Sequence, residues 1–518
     1  MNNLLLNLLK LWIIINKSTI NNQSNIFFMV FMVFMVLCFS TIISIFLIII
    51  FMLLSKEDKN NYGIVYTPNS LVDKILDLIP LEYYKNPALK WLDIGAGNGA
   101  FSLNLYNRLM TNLSNTIPNN ETRKAHILEN MIYMCEIYIP HINKLETLFS
   151  HKTNIIKADF LSLNANELLN ANELLNANEL FNIIIGNPPY NINGALKTPT
   201  NNSFKKSDDG KQVYVEFVKK SLTLLETNGL LALIIPALWM KPDKAGLYNI
   251  LLNNNFTINH LHCLSTNETQ KEFLYQAQTP TCFFCGTYGK VPPKNSLPIY
   301  DKIYKTYINY KLLHNYPIPT HGIAIINKLL YYVIQVGYLK VYKSNSPPKK
   351  SNFEETNTNT NTNLNIKTTN LSNKTPLLVK NYSNILQHYA NIPKLILAHK
   401  MYGFPYLDSS GIYGISSRDN YILTLNDYSL EELKQIQAFL STKFALFIFS
   451  TTNYRMRYLE KYAFLFLPNI TKITNFPNLL NLNQLQRDKL IINFFNLSEL
   501  EEISIINSFN NYNHFIDD

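Results

Sequence analysis

The stretch ALKWLDIGAGNGAFSLNLYNRL, residues 88–109, decides the fold class. Trp91 to Ile94 form a short apolar run of strand type, Gly95, Gly97 and Gly99 a tight turn, and Phe101 to Leu109 a run at helical spacing. A strand, a glycine turn and a helix in that order open a parallel sheet wound with helices. Glycines at such a corner let the backbone approach a ligand at the helix N-terminus. The spacing is GxGxG, not the GxGxxG of dinucleotide sites, and Asp93 stands just before the turn. A carboxylate there accepts a positively charged ligand more easily than a pyrophosphate. S-adenosylmethionine, with its ammonium and sulfonium, meets that description, and a purely structural turn is the alternative.

Working outward, GIVYTPNSLVDKILDLIP, residues 63–80, reads as a Thr67-Pro68 turn entering an amphipathic helix. Ile132 to Cys135 read as a second strand ending in Glu136, placed to grip ribose hydroxyls. Ile155 and Ile156 lead to Asp159 and Phe160, a carboxylate and a ring suited to an adenine amino group and its face. Each of these acids also reads as a solvated strand end. In FNIIIGNPPYNINGA, residues 181–195, a buried strand passes through Gly186 into Asn187-Pro188-Pro189-Tyr190. Two prolines stiffen the exit and remove two donors. The Asn187 side-chain oxygen and the Pro188 carbonyl then suit the two hydrogens of a planar amine, and the Tyr190 ring suits its face. Two acceptors pulling on such an amine localise its lone pair for attack on an electrophile. Further strands at Leu230 to Pro236 and around Thr281 complete an α/β, mostly parallel, doubly wound sheet. Cys282 and Cys285 form a CxxC with two phenylalanines between them and no second pair, which reads as buried strand and not as a metal site.

The flanks divide the 518 residues further. Residues 1–60 are an apolar N-terminal segment in which 26–54 carry no charge and are long enough for a membrane-crossing helix; the expectation is membrane association through it, or otherwise an intracellular protein acting on DNA. Residues 61–300 form the ligand-binding domain. Residues 301–375 read as a helical connection and a low-complexity Asn/Thr-rich linker, and 376–518 as a smaller mixed α/β domain in which Lys, Arg and Tyr interleave. The hexapeptide LNANEL, three times in tandem after Ser162, reads as an expansion of a surface connection. The net charge of +10 agrees with a polyanionic partner, although an A/T-rich codon bias accounts for part of it. Lys205 and Lys206 in the polar loop after Tyr190, and Arg455 and Arg457 near the C-terminus, are the candidate phosphate contacts.

Taken together, YTP at Tyr66 to Pro68, DIGAGNG at Asp93 to Gly99, Glu136, ADF at Ala158 to Phe160 and NPPY at Asn187 to Tyr190 resemble the adenine-specific DNA methyltransferases of restriction-modification type, in the motif order of their gamma group. The resemblance covers about residues 61 to 290, and the region beyond residue 376 is similar in pattern to their target-recognition domains. It implies a Rossmann-like methyltransferase sheet, with S-adenosylmethionine held by Thr67, Pro68, Asp93, Gly95, Gly97, Glu136, Asp159 and Phe160. It also implies catalysis at Asn187, Pro188, Pro189 and Tyr190, and base stacking on Tyr190 and Phe273, with Tyr275 as the alternate. Double-stranded DNA is the implied partner, the target base being flipped out. No metal and no obligate protein partner are implied. Protein glutamine methyltransferases share NPPY, and a bifunctional restriction-modification enzyme or a membrane-tethered DNA-binding protein with a decayed catalytic domain are the remaining readings.

Overall fold

The computed structural model describes residues 62–149, 153–163, 180–190, 213–242, 247–252, 255–289, 295–344, 348–370, 377–399, 403–455 and 459–508. The apolar segment 26–54, the LNANEL repeat between 164 and 179, and the loop carrying Lys205 and Lys206 lie outside them, as does Arg457. Among the described residues no helix is long and apolar enough to cross a membrane. Tyr62 to Ile64 group apart from the remainder, and the described residues from Val65 onward fall in one compact unit.

The glycine-turn strand is central. β1 (Trp91–Asp93) pairs in parallel with β2 (Ile132–Glu136) on one side and with β4 (Phe181–Gly186) on the other. β3 (Asn154–Lys157) extends the first side and β5 (Leu225–Pro236) the second, both in parallel. β7 (Thr281–Tyr288) then runs antiparallel between β5 and β6 (Phe256–Leu264), and β8 (Ser296–Asp301) and β9 (Thr306–Lys311) close the nine-stranded sheet. Both faces are covered, which is why the inner strands read as nearly unbroken apolar runs. Strand alternation divides them. Trp91, Ile183, Ile185, Ala232 and Phe283 point into a core under the helices Asn69–Leu76 and Ala100–Asn112, while Leu92, Ile184, Leu233 and Phe284 point into the opposite one. Cys282 and Cys285 are fully buried β7 residues.

The second core does not stop at the sheet. It takes in the helix Ile323–Val336 and continues through Leu433, Phe444 and Phe464 to Ile505. Residues 301–375, read from sequence as a helical connection and linker, instead supply β9, that helix and part of a pair of small sheets. One is β10 (Tyr342–Lys343), β17 (Asn420–Thr424), β14 (Lys394–Ala398) and β15 (Tyr406–Asp408); the other is β11 (Phe353–Glu354), β13 (Leu377–Ser383), β12 (Asn363–Asn370) and β16 (Gly414–Ile415). Side-chain bonds hold part of the Asn/Thr stretch: Asn361 N donates to Thr358 Oγ1 at 3.1 Å and Asn363 Nδ2 to the Ser383 carbonyl at 3.0 Å. Asn365, fully buried, donates from Nδ2 to Ser383 Oγ at 2.9 Å, and Ile366 packs against Ile396, Ile415 and Ile422 between the two sheets. A buried ion pair, Lys394 Nζ to Asp408 Oδ2 at 2.6 Å, ties β14 to β15, and burial draws the Lys394 pKa below its usual range despite that partner.

At the carboxyl edge of the sheet, β6 leads into the helix Thr266–Glu272, which begins with a Ser265/Glu268 capping box. Phe273 ends the helix with its ring 1% exposed in the core beside Phe283, whereas Leu274 and Tyr275 turn left-handed, at φ 49° and 63°, and stand 61% and 71% exposed. Phe273→Ala is therefore expected to cost about 3–5 kcal/mol of stability, and Tyr275→Ala no more than about 0.5 kcal/mol, as read from denaturant unfolding midpoints.

Candidate active site

The strand order reverses between β1 and β4, so the carboxyl ends of these two strands open a crevice at the point where ligands bind in such sheets. The glycine turn enters it from β1 and Asn187-Pro188-Pro189-Tyr190 from β4. Gly186 makes the second entry feasible: its φ is 145°, and a Cβ there would stand 3.1 Å from Ile94 Cγ1 and 3.3 Å from Asp93 Oδ1. Gly99, at φ 89°, starts the helix Ala100–Asn112 where a Cβ would meet Leu145 at 3.0 Å. The two turns touch, since a Cβ on Gly95 would have Asn187 O as its nearest neighbour, at 3.8 Å.

Asn187 is held by one end only. Its Nδ2 donates to Thr67 Oγ1 at 2.9 Å, which fixes the amide so that Oδ1 is an acceptor, buried and without a hydrogen-bond partner. The Tyr190 hydroxyl is likewise enclosed and unpartnered, and burial drives its pKa far upward, so the phenol stays neutral. An unpaired buried polar atom costs about 1–3 kcal/mol. Two of them lie at the exit of one strand, where the protein itself does not satisfy them.

The acids hold the loops. Glu136 accepts from Gly97 N at 2.7 Å through Oε2, and from Ile137 N and Tyr138 N at 2.9 and 2.8 Å through Oε1. Burial opposes its charge, but His141 and these amides outweigh burial and set its pKa below the ordinary carboxylate value. Three of about four acceptor positions on that carboxylate are used, which leaves room for one ligand hydroxyl. Asp93 is 1% exposed and accepts from Ser102 Oγ at 2.7 Å. Burial pushes its carboxyl up to about 7 against the Ser102 and Gly95 hydrogen bonds. Through Ser102 it ties the strand end to the helix that follows the glycines, and its Oδ1 lies toward Gly186.

Thr67, Gly95, Gly97, Glu136 and Asn187 are brought together, with Pro68 beginning the helix Asn69–Leu76 beside Thr67; Tyr190 follows Asn187 on the same turn, with its hydroxyl near Cys282 and Tyr214. Asp159 is exposed, with Oδ1 accepting from Leu161 N at 3.0 Å. Phe160 is not brought to the crevice: its ring is 3% exposed and stacks on Phe217, centroids 5.0 Å apart. Phe273 is also held away, in the core, while Tyr275 is solvent-facing, and Arg455 is exposed far along the chain. Sequence reasoning missed Ser102 and His141. Ser102 lies in the first turn of the helix that follows the glycines, where a hydroxyl nine residues after a strand-end acid is the available signal. His141, in an unremarkable YIPHIN, carries none.

Comparison with known proteins gives the same picture over the sheet. A family model described as Eco57I restriction-modification methylase matches residues 46–268. The chain is 26% identical over 267 residues to an uncharacterized adenine-specific methylase of Mycoplasma pneumoniae, covering 39% of this chain and 60% of that protein. It is 26% identical over 208 residues to the type II methyltransferase M.PaeR7I of Pseudomonas aeruginosa, covering 38% and 35%. The chain thus spans less than two thirds of the length of these relatives. Among solved structures, the type IIL restriction-modification enzyme MmeI in complex with DNA aligns with a TM-score of 0.46 at 12% identity over 89% of this chain and 80% of that one. The EcoKI M protein aligns with a TM-score of 0.33 at 16% identity over 46% and 48%.

Proposed function

We propose that this chain transfers a methyl group from S-adenosylmethionine to the exocyclic 6-amino group of an adenine in double-stranded DNA, after that base has swung out of the helix. The observation that carries this reading is the unpartnered, buried Oδ1 of Asn187, fixed as an acceptor by Thr67. A planar amine is the donor it lacks. The adenine specificity of the Mycoplasma pneumoniae relative supports adenine as its bearer. A base still stacked in a duplex cannot reach such a crevice, and extrusion costs a few kcal/mol that stacking on an aromatic ring offsets. Tyr190 supplies that ring, and the exposed Tyr275 takes the second place that Phe273, locked in the core, cannot fill.

The residues present fit the cofactor. Gly95 leaves the turn open on the ligand side, with no atom nearer than 3.8 Å to an added Cβ; Glu136 retains an acceptor position for a ribose hydroxyl; and Asp159 is exposed for an adenine amino group. When bound, S-adenosylmethionine supplies an electrophilic methyl on sulfonium and leaves as S-adenosylhomocysteine. Asn187 Oδ1 and the Pro188 carbonyl orient the amine and localise its lone pair, and stabilise the positive charge that develops on it. The amine proton leaves to solvent once the nitrogen carries the new methyl, and no group of the site needs to be a strong base. The region beyond residue 376, with exposed Arg455, would read the DNA sequence.

Tritiated S-adenosylmethionine offered separately to DNA and to protein tests the reading: label is expected in DNA, as N6-methyladenine, and label in protein alone contradicts it. Asn187→Ala is expected to lower transfer by about 100-fold or more while cofactor binding, measured at equilibrium, persists. The Asp93 carboxyl ionises near 3.8 when unfolded and about 7 when folded. The folded chain therefore keeps a proton that the unfolded chain gives up. Its contribution to stability is complete below about pH 4 and is lost as pH rises to about 7. Unfolding midpoints across that window are expected to fall with pH more steeply for the wild type than for Asp93→Asn.

A further inference from the structure

His141 sits in the first turn of the helix Ile139–Phe149 and is 5% exposed. Its Nε2 is 3.2 Å from the Tyr66 hydroxyl and its Nδ1 is 3.6 Å from Glu136 Oε2. The ring packs edge-on against Tyr66 and Tyr138, with centroids 5.8 and 4.9 Å away. What it touches on either side differs in kind. Glu136 Oε2 is the oxygen that accepts from Gly97 N in the glycine turn. Tyr66 immediately precedes Thr67, whose hydroxyl holds Asn187 Nδ2. A line of polar contacts thus runs Gly97, Glu136, His141, Tyr66, Thr67, Asn187, with the cofactor turn at one end and the amine acceptor at the other. Nε2 pairs with the Tyr66 hydroxyl, while Nδ1 is buried and faces Glu136 Oε2 at a distance longer than a hydrogen bond, so the remaining acceptor position of that carboxylate stays available to a ligand hydroxyl.

We infer that His141 is a positioning residue that couples occupancy of the Glu136 side of the crevice to the aim of Asn187 Oδ1. This rests on the methyl-transfer reading above. A ligand hydroxyl taken up by Glu136 alters the carboxylate that His141 shares, and His141 passes the change to the Tyr66–Thr67 segment that sets the Asn187 amide. Cofactor binding and the grip on the target amine then carry a coupling free energy, which is reciprocal. The contacts that Glu136 makes to backbone amides hold the loops without His141. Its removal is therefore read in function more than in folding.

The test uses the full chain and compares wild type, Tyr66→Phe, His141→Ala and the double variant. Equilibrium binding of tritiated S-adenosylmethionine and initial rates of methyl transfer to DNA are measured, with each rate normalised to the folded fraction. Tyr66→Phe removes one oxygen and is expected to lower kcat about tenfold with cofactor Kd changed less than about twofold. His141→Ala is expected to lower kcat equally and also to weaken cofactor binding, and the double variant is expected to match His141→Ala, because both cut one line. Wild-type kcat in Tyr66→Phe, or multiplied losses in the double variant, would overturn the inference. So would losses that vanish on normalisation. A wild-type chain that labels no DNA overturns the methyl-transfer reading itself, and the two failures are separate.

Discussion

The hydrogen bond from Asn187 Nδ2 to Thr67 Oγ1 is the contact on which the rest of the site depends. An amide left to itself satisfies both ends or rotates to suit its surroundings. Held by its nitrogen, Asn187 is forced to present a bare oxygen in a buried place. Everything around it serves that orientation: Gly186 lets the strand turn past Asp93 and Ile94, the two prolines stiffen the exit, and Tyr66 and His141 brace the segment that carries Thr67. The energy left unrecovered in the unpartnered Oδ1 is the local instability commonly found where a ligand is meant to bind.

The sheet that carries this arrangement was legible from the residues because parallel strands buried on both faces leave short, nearly continuous apolar runs bounded by turn residues. Trp91 to Ile94, Ile183 to Ile185 and Leu230 to Pro236 are short, apolar and followed by glycine or proline, and all three lie in the sheet. The exit of β4 at Asn187 was readable for the same reason: two prolines directly after a buried strand fix a stiff turn. Roles decided by side-chain direction were not. Phe160 and Phe273 sit at the sequence positions a ligand-binding reading asks for, yet their side chains pack inward, on Phe217 and into the core. Spacing along a chain locates a Cα, and packing decides where the side chain goes.

The C-terminal region shows the converse. Alternating Asn and Thr between 356 and 363 reads as low complexity because neither residue signals a core. The run enters β12 at Asn363, whose Nδ2 donates to the Ser383 carbonyl, and just beyond it the Nδ2 of buried Asn365 donates to Ser383 Oγ and the Asn363 carbonyl. The helices beyond residue 430 share the core of the sheet, so the C-terminal region and the sheet pack as one body and not as beads on a linker.

The central claim, that Thr67 frees the Asn187 oxygen for the target amine, is tested most directly by Thr67→Val, which keeps the shape of the side chain and removes the hydroxyl that accepts from Asn187 Nδ2. Initial rates of methyl transfer to DNA and equilibrium binding of S-adenosylmethionine are the readouts. The account expects kcat to fall by about tenfold or more, the equivalent of one lost hydrogen bond, with cofactor affinity nearly unchanged. Wild-type kcat in this variant would contradict it.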